Sequence, residues 1–282
     1  MTILITGASG FIGSNLVKNL NKKKKIFYSI DKINNPYFKI KNFFKIDLCN
    51  EKKLEKIFKK KKIKYIIHLA ALPGFVSCHN SPDSAFNNNV RATVNILNLS
   101  VKYGVKKILI ASSMGVENFR HNPSIYGLTK VICEMYGNTY SKIKKINIVN
   151  CKLSNVFGPY SNHKSSVVHS FIKRIISKKS MEIHSNGRQK RDFIFVEDVC
   201  SALIQELFVR SNKTEININT NQFLSILDLK KCLDNISKKN NKFRYIETPE
   251  GYDDHIYKKP LIKVKKKLMK NLELTYNWYK RF

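Results

Sequence analysis

Residues 2–16 read TILITGASGFIGSNL, and the reading of the whole chain starts from them. Thr2 to Thr6 is a short apolar, β-branched run of the kind that forms a buried parallel strand. Gly7, Gly10 and Gly13 follow, and Phe11, Ile12, Asn15, Leu16 and Leu20 then recur with a helical period. Strand, glycine turn and helix in that order form the context of a dinucleotide-binding motif. In such a motif Gly7 permits the tight turn, Gly10 lets the backbone approach a pyrophosphate, and Gly13 lets the helix lie close on the strand. The helix N-terminus offers free N–H groups and a positive dipole end to the phosphates. Three glycines also fit an ordinary strand-to-helix turn. Their place at the start of the chain, and a carboxylate eighteen residues after Gly13, favour the dinucleotide.

That carboxylate is Asp31, which ends a second expected strand, Ile26 to Ile30 (IFYSI). There it can accept both hydroxyls of an adenosine ribose and repel a 2′-phosphate, which favours NAD over NADP. Asp31 also fits a plain turn, and the adjacent Lys32 would tolerate the phosphate.

The alternation continues. Strands are expected at Phe43–Ile46, Lys64–Leu69, Lys107–Ala111 and Ile146–Cys151. Helices are expected at Glu51–Lys61, from Ser81-Pro82 to about Tyr103 with Ser81 as N-cap, and from about Tyr126 to Ser141. This pattern implies right-handed crossovers and an α/β doubly wound parallel sheet with ligands at the carboxyl ends of its strands. After Leu153 the rhythm changes. Helices at Val167–Ser177, Glu197–Val209 and Ile226–Ile236 alternate with short strands at Met181–His184, Phe193–Val196, Glu215–Asn219 and Lys242–Ile246, and an amphipathic stretch, Leu272–Tyr279, closes the chain. We read residues 1–153 as the dinucleotide-binding domain and 154–282 as a smaller lobe, with segments free to return to the first.

The 282 residues carry 52 Lys and Arg against 20 Asp and Glu, a net charge of +32. Such a balance fits a nucleic-acid or anionic-membrane surface. It equally fits lysine spread over solvated faces, and the runs Lys22–Lys25, Lys59–Lys62 and Lys265–Lys267 fall at expected helix ends and loops, without interleaved aromatics. We favour the second reading, with a general attraction for anionic substrates and no specific nucleic-acid partner. The N-terminus lacks a signal layout, no apolar run reaches spanning length, and no membrane insertion is expected. Cys49, Cys78, Cys133, Cys151, Cys200 and Cys232 are scattered without a CxxC, which points to thiols in a reducing cytoplasm and to no metal site.

Ser112 and Ser113 end the expected fifth strand, where the sheet presents its chemistry. Tyr126 comes thirteen residues after Ser113, in SIYGLTK, and Lys130 four residues later. On a helix these two share a face, so the ammonium can favour the phenolate of a group whose ordinary pKa, about 10, makes it a poor base. Ser113 can hydrogen-bond the same substrate oxygen while Tyr126 exchanges the hydroxyl proton and hydride passes to or from nicotinamide.

These residues resemble the extended short-chain dehydrogenase/reductase family, in its NAD-dependent nucleotide-sugar epimerase/dehydratase branch, close to UDP-glucose 4-epimerases. The matching positions are Gly7, Gly10, Gly13, Asp31, Asp47-Leu48, His68-Leu69-Ala70-Ala71, Asn89-Val90, Thr93, Ser112-Ser113, Tyr126, Lys130, KLSNVFGP at 152–159 and NGRQKRDFIFVEDV at 186–199. The resemblance implies a Rossmann fold with a C-terminal substrate-binding lobe and a homodimer. It implies that Gly7, Gly10, Phe11, Ile12, Gly13, Asp31, Asp47, Leu48, Ala70, Tyr126 and Lys130 hold NAD. It further implies that Asn155 and Arg191 face the diphosphate of a nucleotide sugar, UDP favoured. A guanidinium suits that task because it grips phosphate oxygens bidentately, although Arg191 also fits a surface salt bridge with Asp192 or Glu197.

Several positions depart from the family pattern. Lys152 and Phe157 stand where the family carries Arg and Tyr, the second lobe is short, and Pro249–Asp254 lacks the family's pyrophosphate arginine. Pro260–Met269 lacks the family's C-terminal Asp. Cys78 and His79, in the loop Leu72–Ser81, fit an acid–base pair, or Cys78 merely fills the place of a small polar residue. His68 reads as part of a strand end. The residues after Ser113 are Met114 and Gly115, where dehydratases of the family carry an Asp-Glu pair, and Glu117 lies two further on. The expected activity is therefore a nucleotide-sugar 4-epimerase working through a transient 4-keto sugar. A dehydratase, decarboxylase or reductase of the same fold, or a cofactor-binding protein without turnover, is the alternative.

Overall fold

The computed structural model describes residues 2–121, 123–247 and 267–281. The first half runs β1 (Ile3–Thr6), α1 (Phe11–Lys22), β2 (Phe27–Asp31), β3 (Phe43–Lys45), α2 (Glu51–Lys61) and β4 (Tyr65–His68). Next come short helices α3 (Phe75–Asn80) and α4 (Pro82–Ala85), a π-helical turn (Phe86–Arg91), α5 (Ala92–Lys102) and β5 (Lys107–Ser113). A 3₁₀ turn (Met114–Asn118), α6 (Ile125–Lys144) and β6 (Asn147–Leu153) complete it. The second half runs β7 (Asn155–Phe157), α7 (Val167–Ile176), β8 (Met181–His184), β9 (Lys190–Phe195), α8 (Val196–Phe208) and β10 (Glu215–Ile218). It ends with β11 (Phe223–Ser225), α9 (Ile226–Ser237), β12 (Phe243–Ile246) and α10 (Leu268–Tyr279).

Seven strands form one parallel sheet in the order β10-β6-β5-β4-β1-β2-β3. The chain winds outward from β1 through β2 to β3, then restarts at β4 on the other side of β1. The strand order reverses between β1 and β4, and a crevice opens there at the carboxyl edge. Both sheet faces are covered, which is why the strands read as continuous apolar runs. Ile3 and Ile5 of β1 pack with Leu16 and Leu20 of α1 and Val199 and Leu203 of α8. Leu4, between them, packs on the opposite face with Leu54 and Phe58 of α2 and Ile96 of α5.

Some helix starts are fixed by side-chain caps. Asn50 accepts the Lys53 amide at the head of α2, and Ser225 accepts the Asp228 amide at the head of α9. The helix expected from Ser81 to about Tyr103 runs without a gap from Pro82 to Lys102, with the π-helical turn inside it, and Ser81 makes no side-chain cap. Asn87, Asn88 and Asn89 lie in that turn, and asparagine side chains compete for backbone groups. Asn88 donates to the Ser84 carbonyl at 2.7 Å, inside the widened turn. The stretch read as a plain loop, Leu72–Ser81, contains α3.

The second half is tied to the first at several points. β10 pairs with β6 as the outermost strand of the large sheet. At the amino end of β5, Lys107 Nζ donates to the Glu206 carboxylate at 2.7 Å and to the Glu206 and Val209 carbonyls at 2.6 and 3.0 Å. This buried pair pins the end of α8 under the sheet. α10 buries Leu272, Thr275 and Tyr279, and its Trp278 meets Tyr37 and Tyr160 edge-on. The remaining strands form a three-stranded sheet, β11-β9-β7, and a pair, β12-β8. Pro249–Asp254, and Pro260–Met269 up to Lys266, lie outside the described residues. Among the described residues no helix is long and apolar enough to cross a membrane, and no cluster of three or more His, Cys, Asp or Glu could hold a metal ion.

Candidate active site

Gly7 closes β1 with φ +69°, a left-handed conformation that favours glycine. A Cβ there would stand 2.6 Å from the Ala70 amide nitrogen, and one at Gly13 would stand 2.0 Å from the Gly7 carbonyl oxygen. Both positions therefore require glycine, and the closeness brings the N-terminus of α1 onto the β1–β4 crevice. Gly10 is the N-cap of α1 and provides no side-chain cap, so the amides of Phe11, Ile12 and Gly13 begin the helix without one. Orphan amides at a positive dipole end, in a cradle without side chains, fit the pyrophosphate of a dinucleotide.

The other sequence-predicted cofactor residues gather around this loop. Asp31, at the end of β2, accepts the Ser9 amide at 3.0 Å and the Ile33 amide at 3.3 Å. Lys32 turns instead to Asn88, its Nζ 2.8 Å from Oδ1. Asp47 accepts the Cys49 amide at 2.8 Å beyond β3, and the Leu48 carbonyl accepts from Asn95 at 2.9 Å. The Ala70 amide donates to Thr6 Oγ1 at 3.3 Å.

A buried hydrogen-bond chain fixes the ends of β1 and β4. Thr93 Oγ1 donates to the Asn89 carbonyl at 2.5 Å, so it accepts from His68 Nε2 at 3.0 Å. His68 Nδ1 then accepts from the Thr6 hydroxyl at 2.6 Å. This accounting assigns the neutral Nε2–H tautomer. Burial pushes His68 down to about 3, and the Lys130 charge adds to the shift. His68 is thus a strand-end strut. Thr6 and the side chain of Asn89 are the parts of this network that sequence reading missed. Asn89 accepts the Leu72 amide at 2.6 Å and donates to Thr129 at 2.9 Å, tying the loop after β4 to α6. Its place in a π-helical turn is common at functional sites.

Ser113 ends β5 and caps the following 3₁₀ turn, accepting the Gly115 amide at 3.2 Å. Ser124 caps α6 through the Gly127 amide at 3.0 Å, which sets Tyr126 in the first helical turn. Lys130 Nζ lies 5.8 Å from the Tyr126 ring centroid and donates to the Ala111 carbonyl at 2.8 Å. Lys130 is buried, whereas Ser113 and Tyr126 are half-buried. The structure so brings Ser113, Tyr126 and Lys130 to one end of β5, two strands from the glycine loop.

Asn155 and Arg191 lie on neighbouring strands of the small sheet, β7 and β9. Asn155 Nδ2 donates to the Asp192 carbonyl at 3.3 Å. Arg191 is 5% exposed, and its Nη1 donates to the Lys190 carbonyl at 3.0 Å. The Asp192 carboxylate accepts from Ser154, Thr220 and the Asn221 amide. Cys78 is buried and donates to the Leu72 carbonyl at 3.3 Å, and burial raises its thiol. His79 is exposed and stacks on Phe75. The two side chains have parted environments and do not form an acid–base pair.

Comparison with known proteins agrees with this geometry. A UDP-glucuronate 4-epimerase of Thermodesulfobacterium geofontis is 28% identical over 256 residues, covering 80% of this chain and 79% of that protein. A putative UDP-glucose 4-epimerase of Methanocaldococcus jannaschii is 32% identical over 247 residues, covering 80% and 79%. Among solved structures, the UDP-glucose 4-epimerase of Thermotoga maritima with UDP-glucose superposes with a TM-score of 0.90 at 25% identity, covering 100% of this chain and 99% of that one. The UDP-glucuronic acid 4-epimerase of Bacillus cereus, in complex with UDP-glucuronic acid and NAD, gives 0.88 at 25% identity, covering 100% and 99%. The profile of the NAD dependent epimerase/dehydratase family matches residues 3–218, and the chain belongs to that family of NAD-dependent enzymes, with the Rossmann fold of its extended short-chain dehydrogenase/reductase relatives.

Proposed function

We propose that this protein is a redox-neutral 4-epimerase of a UDP-sugar. The observation that carries the reading is the placing of Ser113, Tyr126 and Lys130 at the carboxyl end of β5, two strands from a glycine cradle suited to NAD. NAD, when bound, supplies the acceptor and donor of hydride. Tyr126 takes the proton of the sugar 4-hydroxyl as the carbon is oxidised, and returns it when the ketone is reduced on its other face. Ser113 donates a hydrogen bond to the same oxygen. Lys130, held by Ala111, sets its charge 5.8 Å from the Tyr126 ring and would reach a cofactor ribose. Glycine-loop amides, Asp31, Asp47, Leu48 and Ala70 would hold the cofactor, and residues 154–282 would mainly form the substrate lobe, where Asn155 and Arg191 would meet the diphosphate.

Dehydration needs an acid and a base near the sugar C5 and C6. Met114 and Gly115 cannot transfer protons, and the Glu117 carboxylate is engaged with Lys152 Nζ at 2.5 Å. That pairing supports epimerisation. A homodimer is supported by the outward face of α6, where Leu128, Met135, Tyr136 and Ile143 are 40–68% exposed at helical spacing. Free thiols at all six cysteines support a cytoplasmic setting.

The test incubates the purified protein with UDP-glucose, UDP-glucuronate and UDP-N-acetylglucosamine, followed by chromatography of the products. The expected outcome is a 4-epimer from one of them without stoichiometric NADH. Accumulation of a 4-keto-6-deoxy sugar would overturn the assignment.

A further inference from the structure

Lys152 lies on β6 with its side chain 5% exposed, amid three carboxylates. Its Nζ is 2.5 Å from Glu117, 2.8 Å from Glu215 and 3.7 Å from Glu134. The three acids come from three different elements. Glu117 sits in the 3₁₀ turn that begins at Ser113. Glu134 is on α6, one turn beyond Lys130 and two beyond Tyr126, so the three share a helix face. Glu215 opens β10, and its side chain is 47% exposed. In the sheet register Lys152 stands directly opposite Ser112.

The ion cluster therefore links the turn that carries Ser113 to the helix that carries Tyr126 and Lys130. A lone buried ammonium would be costly, and here burial is outweighed by Glu117 and Glu215, which raise the Lys152 amine. Burial raises the Glu134 carboxyl, and Glu215 and Glu117 push it the same way. Each carboxylate within reach of one ammonium restrains the element it belongs to.

We propose that Lys152 is a positioning residue, which through Glu117 and Glu134 fixes Ser113 relative to Tyr126. The proposal rests on the reading of Ser113, Tyr126 and Lys130 given above. Glu117 is the strut that acts on the Ser113 turn. Glu215 belongs to β10, outside the turn and α6, and solvent screens its half-exposed side chain. An arginine can keep the struts, because it also reaches several carboxylates.

The test compares Glu117→Gln, Glu215→Gln, Lys152→Arg, Lys152→Met and Ser113→Ala. Two readouts are taken: kcat and KM on the three UDP-sugars above, and deuterium uptake of the peptide spanning 113–119 in the NAD-loaded protein. Glu117→Gln is expected to lower kcat about tenfold or more with KM held within about twofold, since misplacement of a reacting group by about 1 Å can cost about 100-fold. Its 113–119 peptide should exchange faster, because the Gly115 amide is held by the Ser113 hydroxyl. Lys152→Arg should keep both readouts, and Glu215→Gln should change neither. Lys152→Met should match or exceed Glu117→Gln, and a thermal melt reports whether it folds. Equal kinetic losses in Glu117→Gln and Glu215→Gln would overturn the proposal, as would unchanged uptake in Glu117→Gln. If Ser113→Ala retains full turnover, the reading of the site fails, and the uptake comparison still decides whether Glu117 holds the turn.

Discussion

The Thr6 hydroxyl donates to His68 Nδ1 at 2.6 Å, joining the ends of β1 and β4 under the glycine loop. His68 is wholly buried and neutral, held down to about 3 from an ordinary 6.5. Above pH 6.5 both folded and unfolded chains carry a neutral ring, and the network is at full strength. Between about 6.5 and 3 the unfolded chain takes up a proton that the folded chain refuses. Stability is then lost at about 1.4 kcal/mol per pH unit, or about 2 kcal/mol by pH 5. Denaturant melts of wild type and His68→Gln should show this. The stability advantage of the wild type should shrink as pH falls from 7 to 5. A difference that stays constant over that range would contradict a buried neutral ring.

Asp31 joins the glycine loop to the second strand by accepting the Ser9 amide at 3.0 Å. Each carboxylate oxygen keeps a further lone pair for a ribose hydroxyl. Asp31→Ala removes a charged acceptor worth about 1.5–3 kcal/mol, so NAD affinity should fall about 10- to 100-fold. NADP affinity should change less, because the same carboxylate repels a 2′-phosphate. Titration calorimetry with both cofactors checks this. Equal wild-type affinities would refute the preference for NAD.

Much of this was legible in sequence because the relevant signals are local. The strand–glycine–helix order, Asp31 at a strand end, and Tyr126 and Lys130 one helical turn apart all follow from period and spacing. The seven-stranded parallel sheet follows from alternation, since parallel neighbours need crossovers. What escaped depends on distant partners. Nothing near Lys152 in sequence announces Glu117, Glu134 and Glu215, which lie 18 to 63 residues away and converge only once β5, β6 and β10 align. The π-helical turn was hidden in an apparent long helix, since a wide turn keeps the apolar spacing of the residues on either side. Asn89 was legible as a match to a family, and its two-sided bridge to Leu72 and Thr129 was not. The return of β10 to the first sheet was left open, because a four-residue strand carries no sign of its partner.

The Lys107–Glu206 pair makes a stability prediction free of the site. Both side chains are nearly inaccessible, at 4% and 7% exposure, and Lys107 also satisfies two carbonyls at the end of α8. Lys107→Met leaves a buried carboxylate without its cation, and about 3–5 kcal/mol should be lost. Adding Glu206→Gln should restore part of that, because the orphan charge is gone. Chemical denaturation of the two variants measures both steps. No recovery in the double variant would place the cost in the lost carbonyl bonds.

Tyr126→Phe isolates the proton step. The phenol is half-buried in the first turn of α6, whose start is fixed by Ser124, so deletion of one hydroxyl should leave the helix and the melting temperature in place. Lys130 keeps its bond to Ala111, which does not involve the phenol, so the cofactor side of the site persists. Turnover of the UDP-sugar substrate should fall by about 10²–10⁴, the range for a general acid–base group, with NAD affinity changed only a few-fold. Lys130→Met should differ in kind. It removes the charge beside the phenol together with a group that would reach the ribose, so turnover and NAD affinity should fall together. Parallel kinetics and NAD titrations on the two variants separate these roles. Undiminished turnover in Tyr126→Phe would move the acid–base function to another group, whereas an equal loss of NAD affinity in both would make Tyr126 a binding residue and not the proton carrier.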